Sequence, residues 1–376
     1  MDLNPPFLLV QDQAALQNLI AALDQADHCA LDTEADSMHH YRGKLCLIQI
    51  TLGKQNYIVD PIAKLDVTPL WKAKAVQNMV LHGADYDLRM LHNTFGFSPQ
   101  SIFDTMIAAK FLGEPRIGLT HLVERRFGIQ LSKANQKADW TIRPLPDDMT
   151  QYAVLDTYFL DEIQAWLTER LVQEGKLEWV QETCQQLIAQ TSRPPEISDD
   201  EEEPWRIRGS NKLYPNELVF LRALHAWREK EAEKLDRPPF KVLNPDFMLD
   251  IAMDCARSHQ QIDMHSLPRL PRNFTGERLE SFLRTLQEAA QLPEDQWPEP
   301  EKRKRVRIVS PDSSKLEKFR VIRDELATKH NIDPTLLANR NALIALAQPG
   351  TPQERRSKAR SMDWQWKLLA PALGLE

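Results

Sequence analysis

Residues 192–210 read SRPPEISDDEEEPWRIRGS. Proline, serine and five consecutive acids cannot bury enough apolar surface to fold, so this stretch reads as a linker. It divides the chain into two parts with different patterns. Before it, strand-like and helix-like stretches alternate; from Pro215 onward the pattern is nearly all helical. Neither a single helical bundle nor an all-β sandwich fits both parts. The 376 residues also exceed one domain on the usual prior of about 100–200 residues each.

Charge divides at the same place. The whole chain carries 47 Lys+Arg against 54 Asp+Glu, a net of −7. Residues 1–205 hold 17 basic and 30 acidic residues, and residues 206–376 hold 30 and 24. An acidic front suits cations, and a basic back suits an anionic polymer. The N-terminus MDLNPPFLLVQDQ has no basic segment ahead of its short apolar patch, so it does not read as a signal peptide. No apolar run reaches the roughly 18 residues of a membrane span. Cys29, Cys46, Cys184 and Cys255 are scattered without a CxxC pair, which argues against a zinc site or a disulfide framework. The expectation is a reduced, cytoplasmic protein with no membrane partner.

In the front part, His28–Ala35, Cys46–Leu52, Asn56–Asp60 and Asn78–His82 read as strands. Arg42–Gly43–Lys44 supplies a turn that pairs the first two antiparallel. Helical spacing covers Ala14–Ala26, a short piece at Pro69–Ala75, Tyr86–Phe95, Thr105–Leu112, Leu119–Phe127, a long stretch Asp147–Glu174, and a further helix to about Thr191. Mixed strands followed by helices predict an α/β layer fold.

Within the first strand, Asp32 and Glu34 lie two apart and so face the same side. Adjacent carboxylates repel and need a partner, for which a divalent cation with hard oxygen ligands is suited. Alone, such a pair is more often a solvated strand face. Asp87, after HGADYD, sits near a helix start, where an acid is commonly a cap or first-turn residue. Tyr152 and Asp156 share one helix face at i,i+4 spacing. Their neighbours Ala153, Val154, Leu155 and Phe159 make an acid there costly unless it is paired or binds metal.

Taken together, DTE in a strand, YD at a strand-to-helix junction and YxxxD in a later helix resemble the three motifs of the DEDD superfamily of 3′→5′ exonucleases, tyrosine subclass. The stretch DWTIRPLPDDMTQYAVLDTYFL is similar to the ribonuclease D family. The resemblance covers roughly residues 7–190 and implies an α/β ribonuclease-H-like exonuclease domain with a mixed central sheet. It implies that Asp32, Glu34 and Asp156 ligate one metal, and that Asp32 and Asp87 hold a second. The two ions would be Mg²⁺ or Mn²⁺, and Tyr152 would orient the attacking water beside Glu34. It also implies RNA as substrate, with transfer-RNA precursors the expected form. For substrate contacts, Gln136, Trp140 and Arg143 precede the third motif. Trp140 either covers the site or fills the core, and Arg143 either contacts phosphate or pairs with Asp139. His39, His40 and Tyr41 follow DTE, where they either stack on a terminal base or are plain loop residues. Arg42 and Lys44 either meet the substrate backbone or are surface charges.

In the tail, RPPFKVLNPDFMLDIA (Arg237–Ala252) resembles the HRDC domain, and NRNALIALA (Asn339–Ala347) fits the later helix of a divergent second copy. The expected organisation is an exonuclease domain at 1–191, an acidic linker at 192–210, a first HRDC domain at 211–290, a basic linker at 291–312 and a second HRDC-like domain at 313–376, the last two domains being small and all-α. Lys302, Arg303, Lys304 and Arg305, and the later run Arg355–Arg360, read as phosphate contacts or as solvated charge. Two other readings stay open: a DNA 3′→5′ exonuclease, since the metal site does not read the 2′-hydroxyl, and a non-catalytic nucleic-acid scaffold.

Overall fold

A computed structural model of the protein describes residues 3–193, 203–258, 262, 267–300 and 313–375. The basic residues Lys302, Arg303, Lys304 and Arg305 lie outside the described residues. Strands β1 (Phe7–Val10), β2 (Cys29–Ala35), β3 (Leu45–Leu52), β4 (Gln55–Val59), β5 (Asn78–Leu81) and β6 (Ser101–Asp104) form one sheet in the order β1-β4-β3-β2-β5-β6. The β2–β3 and β3–β4 pairs are antiparallel, and β1–β4, β2–β5 and β5–β6 are parallel. The sheet is therefore mixed, with the carboxylate-bearing β2 near its centre. The edge strands β1 and β6 were not read as strands from sequence, although the equally short β5 was.

Seven helices belong with this sheet: α1 (Gln13–Asp24), α2 (Asp85–Phe95), α3 (Thr105–Phe111), α4 (Leu119–Phe127), α5 (Asp147–Tyr158), α6 (Leu160–Gln173) and α7 (Leu177–Thr191). The stretch expected as one helix over Asp147–Glu174 divides at Phe159, which is fully buried. The division leaves α5 alone on the face of β3: Thr51 Oγ1 and Thr157 Oγ1 lie 2.8 Å apart in a hydrogen bond. Pro69–Ala75 resolves into two short 3₁₀ turns, Thr68–Lys72 and Ala75–Gln77. On the other sheet face Leu16, Leu19 and Leu23 of α1 are fully buried in the core that holds Leu31, Ile48 and Ile50.

The chain forms two compact units. The first joins the sheet domain to the C-terminal helices α12 (Ser313–Lys329), α13 (Pro334–Leu337), α14 (Arg340–Ala347), α15 (Pro352–Ala359) and α16 (Asp363–Leu373), as one continuous core. Trp364 stacks on Trp179 of α7 with ring centroids 5.0 Å apart, and meets Phe111 edge-on at 5.2 Å. The Glu182 carboxylate accepts from the Asp363 and Trp364 backbone N–H groups, at 2.5 and 3.0 Å. It thus serves the first turn of α16, whose own N-cap, Met362, makes no side-chain cap bond.

The second unit holds residues Asp36–Lys44 together with α8 (Pro215–Leu235), α9 (Pro239–Val242), α10 (Pro245–Arg257) and α11 (Gly276–Ala290). Its core centres on Trp227, Phe274 and Phe282, which touch one another at 5.0–5.5 Å. Helices α8, α9 and α10 repeat in type as α12, α13 and α14: a long helix, a four-residue helix opening on proline, and a helix capped by asparagine, Asn244 or Asn339. Among the described residues no helix is long and apolar enough to cross a membrane.

Removing the Glu182 carboxylate orphans two N–H groups of α16, so Glu182→Ala is expected to cost about 1–2 kcal/mol. A thermal melt of the full chain should show a lower midpoint, while Glu178→Ala, one turn earlier on α7, should leave it unchanged.

Candidate active site

The site is assembled from three elements that meet at the centre of the sheet. Asp32 and Glu34 come from β2, Asp156 from α5 and Asp87 from the first turn of α2. One carboxylate oxygen from each of Asp32, Glu34 and Asp156 lies within 4.8 Å of the others. Asp87 is held beside them by the Thr33 hydroxyl, which donates to its Oδ1 at 2.5 Å. Tyr152 donates to Asp156 one helical turn away. All five residues line one cavity of about 400 Å³.

A second tier fixes the approach of α2. Asp104, at the end of β6, accepts from the backbone N–H groups of Gly83, Ala84, Met106 and Ile107 at 2.8–3.2 Å. It thereby ties the β5–α2 junction to the start of α3. Gly83 has φ +77°, and a Cβ there would lie 2.2 Å from Met106 Cε, so the junction admits only glycine without rearrangement. Thr105 donates to the Leu81 carbonyl at 3.0 Å, so its contact with His82 Nδ1 at 2.9 Å requires that nitrogen to carry the proton. Burial lowers the His82 pKa to about 4, which keeps the ring neutral.

The electrostatics follow from crowding. Burial pushes the Asp32 carboxyl well above the usual carboxylate range, with repulsion from Asp87, Asp156 and Glu34 adding to it. Burial and the charges of Asp156 and Asp87 push Glu34 up to about 9. Burial raises Asp156 to about 7 against the opposing hydrogen bond of Tyr152. It raises Asp87 to about 6 against that of Thr33. The Tyr152 hydroxyl is pushed higher still by burial and then by the surrounding carboxylates. Four carboxyls in one pocket cannot all ionise unaided. Their all-oxygen donor set fits a hard divalent cation, whose charge would release the protons.

Among the other residues singled out from sequence, Gln136 lines the cavity. Trp140 is 1% exposed and packs against Tyr152 with centroids 6.1 Å apart, so it fills the core behind the site. The ion pair that Arg143 makes among the described residues is with Asp60 rather than Asp139. Its guanidinium forms a two-pronged pair with Asp60, at 2.6 and 2.8 Å, and donates to the Cys46 and Trp140 carbonyls. The reason is proximity across the fold: Asp60 ends β4 beside the segment that leads into α5, which sequence spacing does not reveal. In the second unit, His40 Nδ1 lies 2.8 Å from Asp236, the Tyr41 hydroxyl donates to Glu229 at 3.3 Å, and Arg42 lies 3.8 Å from Glu233. His39 belongs to the same loop, its N–H donating to the Asp36 carbonyl. The cavity wall also holds residues that the sequence did not single out, among them Lys133 and Met106, while Tyr86, the tyrosine of the YD motif, lines it 48% exposed.

This fold and this constellation define a 3′→5′ exonuclease of the DEDD type with a tyrosine in its third motif. The family model "3'-5' exonuclease" matches residues 7–172, and the HRDC domain model matches residues 217–286. Ribonuclease D of Zymomonas mobilis is 33% identical over 260 residues, 68% of this chain and 65% of that protein. Ribonuclease D of Gluconacetobacter diazotrophicus is 30% identical over 359 residues, 93% of this chain and 88% of that protein. The crystal structure of Escherichia coli RNase D, described as an exoribonuclease involved in structured RNA processing, aligns with a TM-score of 0.69 at 25% identity, covering 98% of each chain. The chain belongs to the ribonuclease D family and is a 3′→5′ exoribonuclease.

Raised carboxyl pKa values mean that the folded, metal-free protein binds protons which the unfolded chain, with carboxyls near 4, has released. Its stability therefore falls as pH rises from about 4 towards 9. Metal-free Asp32→Asn is expected to melt above the metal-free wild type at about pH 8, and the gap should close near pH 4. Melting curves at the two pH values in chelator check the sign.

Proposed function

We propose that the protein trims RNA from its 3′ end to nucleoside 5′-monophosphates with two divalent cations, Mg²⁺ or Mn²⁺, and that structured RNAs such as transfer-RNA precursors are its substrates. The observation that carries this reading is the convergence of Asp32, Glu34 and Asp156 within 4.8 Å, with Asp87 and Tyr152 on the same cavity. Asp32, Glu34 and Asp156 would hold one ion, and Asp32 with Asp87 the other. Bound there, the ions supply a water of lowered pKa and neutralise the charge on the leaving 3′ oxygen. The transfer-RNA reading follows from the family and from the structured-RNA role described for the Escherichia coli relative.

The chain's own residues do the positioning. Tyr152 stays protonated at neutral pH. It therefore does not act as a base, and with its O–H donated to Asp156 its oxygen orients the attacking water as an acceptor. Glu34 faces the same space and accepts from that water. Lys133 offers its ammonium to a phosphate oxygen, and the exposed ring of Tyr86 offers a stacking surface to a terminal base. The four cysteines are free and buried, as suits a reducing cytoplasm.

The C-terminal helices supply a second grip. Lys358 and Arg360, at the end of α15, line a cavity of about 560 Å³ with Gln186, Gln190 and Asn341. Among the described residues its wall holds no carboxylate, which suits phosphodiester. Within the same basic run, Arg356 is already paired with Asp363. Because these helices share the core of α7, charge reversal tests the grip more cleanly than truncation does.

End-labelled RNA and DNA single strands, incubated with Mg²⁺ or Mn²⁺, should show RNA shortened stepwise from the 3′ end with 5′-monophosphates released. Chelation and Asp32→Asn should each abolish this. Tyr152→Phe should slow single-turnover cleavage at least about tenfold with RNA affinity retained. DNA cleaved as fast as RNA would overturn the substrate assignment. In an Asp32→Asn background, Lys358→Glu with Arg360→Glu should weaken RNA binding and reduce the salt slope by roughly 1–2.

A further inference from the structure

Gln49 lies in the middle of β3 and is 0% exposed. Neither its Oε1 nor its Nε2 has a hydrogen-bond partner among the described residues. Each such buried group costs on the order of 1–3 kcal/mol, so an amide with both ends unmatched demands an explanation.

Its surroundings supply one. In the antiparallel β2–β3 register Gln49 stands directly opposite Asp32, and in the β3–β4 register it stands opposite Ile58. Directly paired residues share a sheet face, with Cβ atoms about 4.5–5.5 Å apart. Along β3 the next residues on that face are Leu47 and Thr51. Leu47 and Ile58 are apolar and packed in the Trp140 cluster. The Thr51 hydroxyl is engaged, donating to Asn56 and meeting Thr157. Of these four neighbours, Asp32 alone carries a carboxylate, the strongest acceptor among them, and it is one of those gathered at the site.

We propose that Gln49 is a positioning residue whose Nε2 donates to the Asp32 carboxylate, fixing that carboxylate once it ionises. This rests on the reading of Asp32 as a metal ligand. The chemistry favours an amide at this place. A Lys or Arg would hold Asp32 equally well but would cancel the negative charge that attracts the cation. A neutral donor orients the carboxylate and leaves its charge intact. Partners of this kind, behind a metal ligand, typically change metal affinity by about 10–100-fold when removed.

The test is calorimetric titration of the full chain with Mg²⁺ in the absence of RNA, accompanied by a metal-free thermal melt and by kcat and KM on a single-stranded RNA. Gln49→Met keeps the volume and removes both hydrogen-bonding ends. It should leave the metal-free melt equal or higher, weaken Mg²⁺ binding at least about tenfold, and lower kcat at fixed Mg²⁺ with little change in KM for RNA. Gln49→Asn, which keeps an amide on a shorter arm, should fall between wild type and Gln49→Met, and it replaces the Met variant if that variant fails to fold. Mg²⁺ affinity unchanged in a folded variant would overturn the proposal and leave the exonuclease reading standing. Failure of the wild type to bind Mg²⁺ or to cleave RNA would overturn that reading itself.

Discussion

Mutual repulsion among four carboxyl groups is the constraint on which the rest of this structure depends. Burial and like charge raise Asp32, Glu34, Asp87 and Asp156 together. An isolated chain would let such groups drift apart into water. Here they cannot, because they are anchored to three rigid elements. Neighbouring positions on β2 fix Asp32 and Glu34, the first turn of α2 fixes Asp87, and α5 fixes Asp156. The unfavourable electrostatics are retained because a divalent cation reverses their sign, turning four repelling groups into an oxygen-lined receptor.

Holding that arrangement takes further interactions that do no chemistry. Asp104 gathers four backbone N–H groups where β5, β6, α2 and α3 meet. Arg143 ties the segment before α5 to Asp60 and to the Cys46 carbonyl of β3. The Thr51–Thr157 contact sets α5 on the sheet. Beyond α7, the Trp179–Trp364 stack makes the C-terminal helices part of the same core. Their cationic cavity is thus carried by the rigid body that carries the carboxylates. If these helices grip RNA as proposed, that grip and the carboxylate site lie within one compact unit.

The five residues of the site were singled out by their resemblance to the exonuclease motifs, and spacing supported four of them. Two acids at i,i+2 in a strand share a face, and Tyr152 and Asp156 at i,i+4 share a helix side. The antiparallel β2–β3 pair and the helical tail were legible from turn chemistry and periodicity. Legibility ended where a role depends on groups distant in the chain. Of the protein partners, Asp139 was the one expected for Arg143, yet Asp60, far back at the end of β4, pairs with it. Trp140 became core only because Leu47 and Ile58 lie beneath it. Lys133 gave no signal, since a lone lysine in a loop has no pattern to read.

The sequence by itself thus determined the chemistry: which acids pair, what kind of ion they suit, and that a basic helical tail accompanies them. These depend on residue type and on spacings within a turn or a strand. Only the tertiary structure decided which separate segments meet: Asp87 with Thr33, Arg143 with Asp60, Gln49 opposite Asp32, Trp364 on Trp179. Those meetings are set by the packing of the sheet and helices against one another, a property of the whole chain that no local spacing contains.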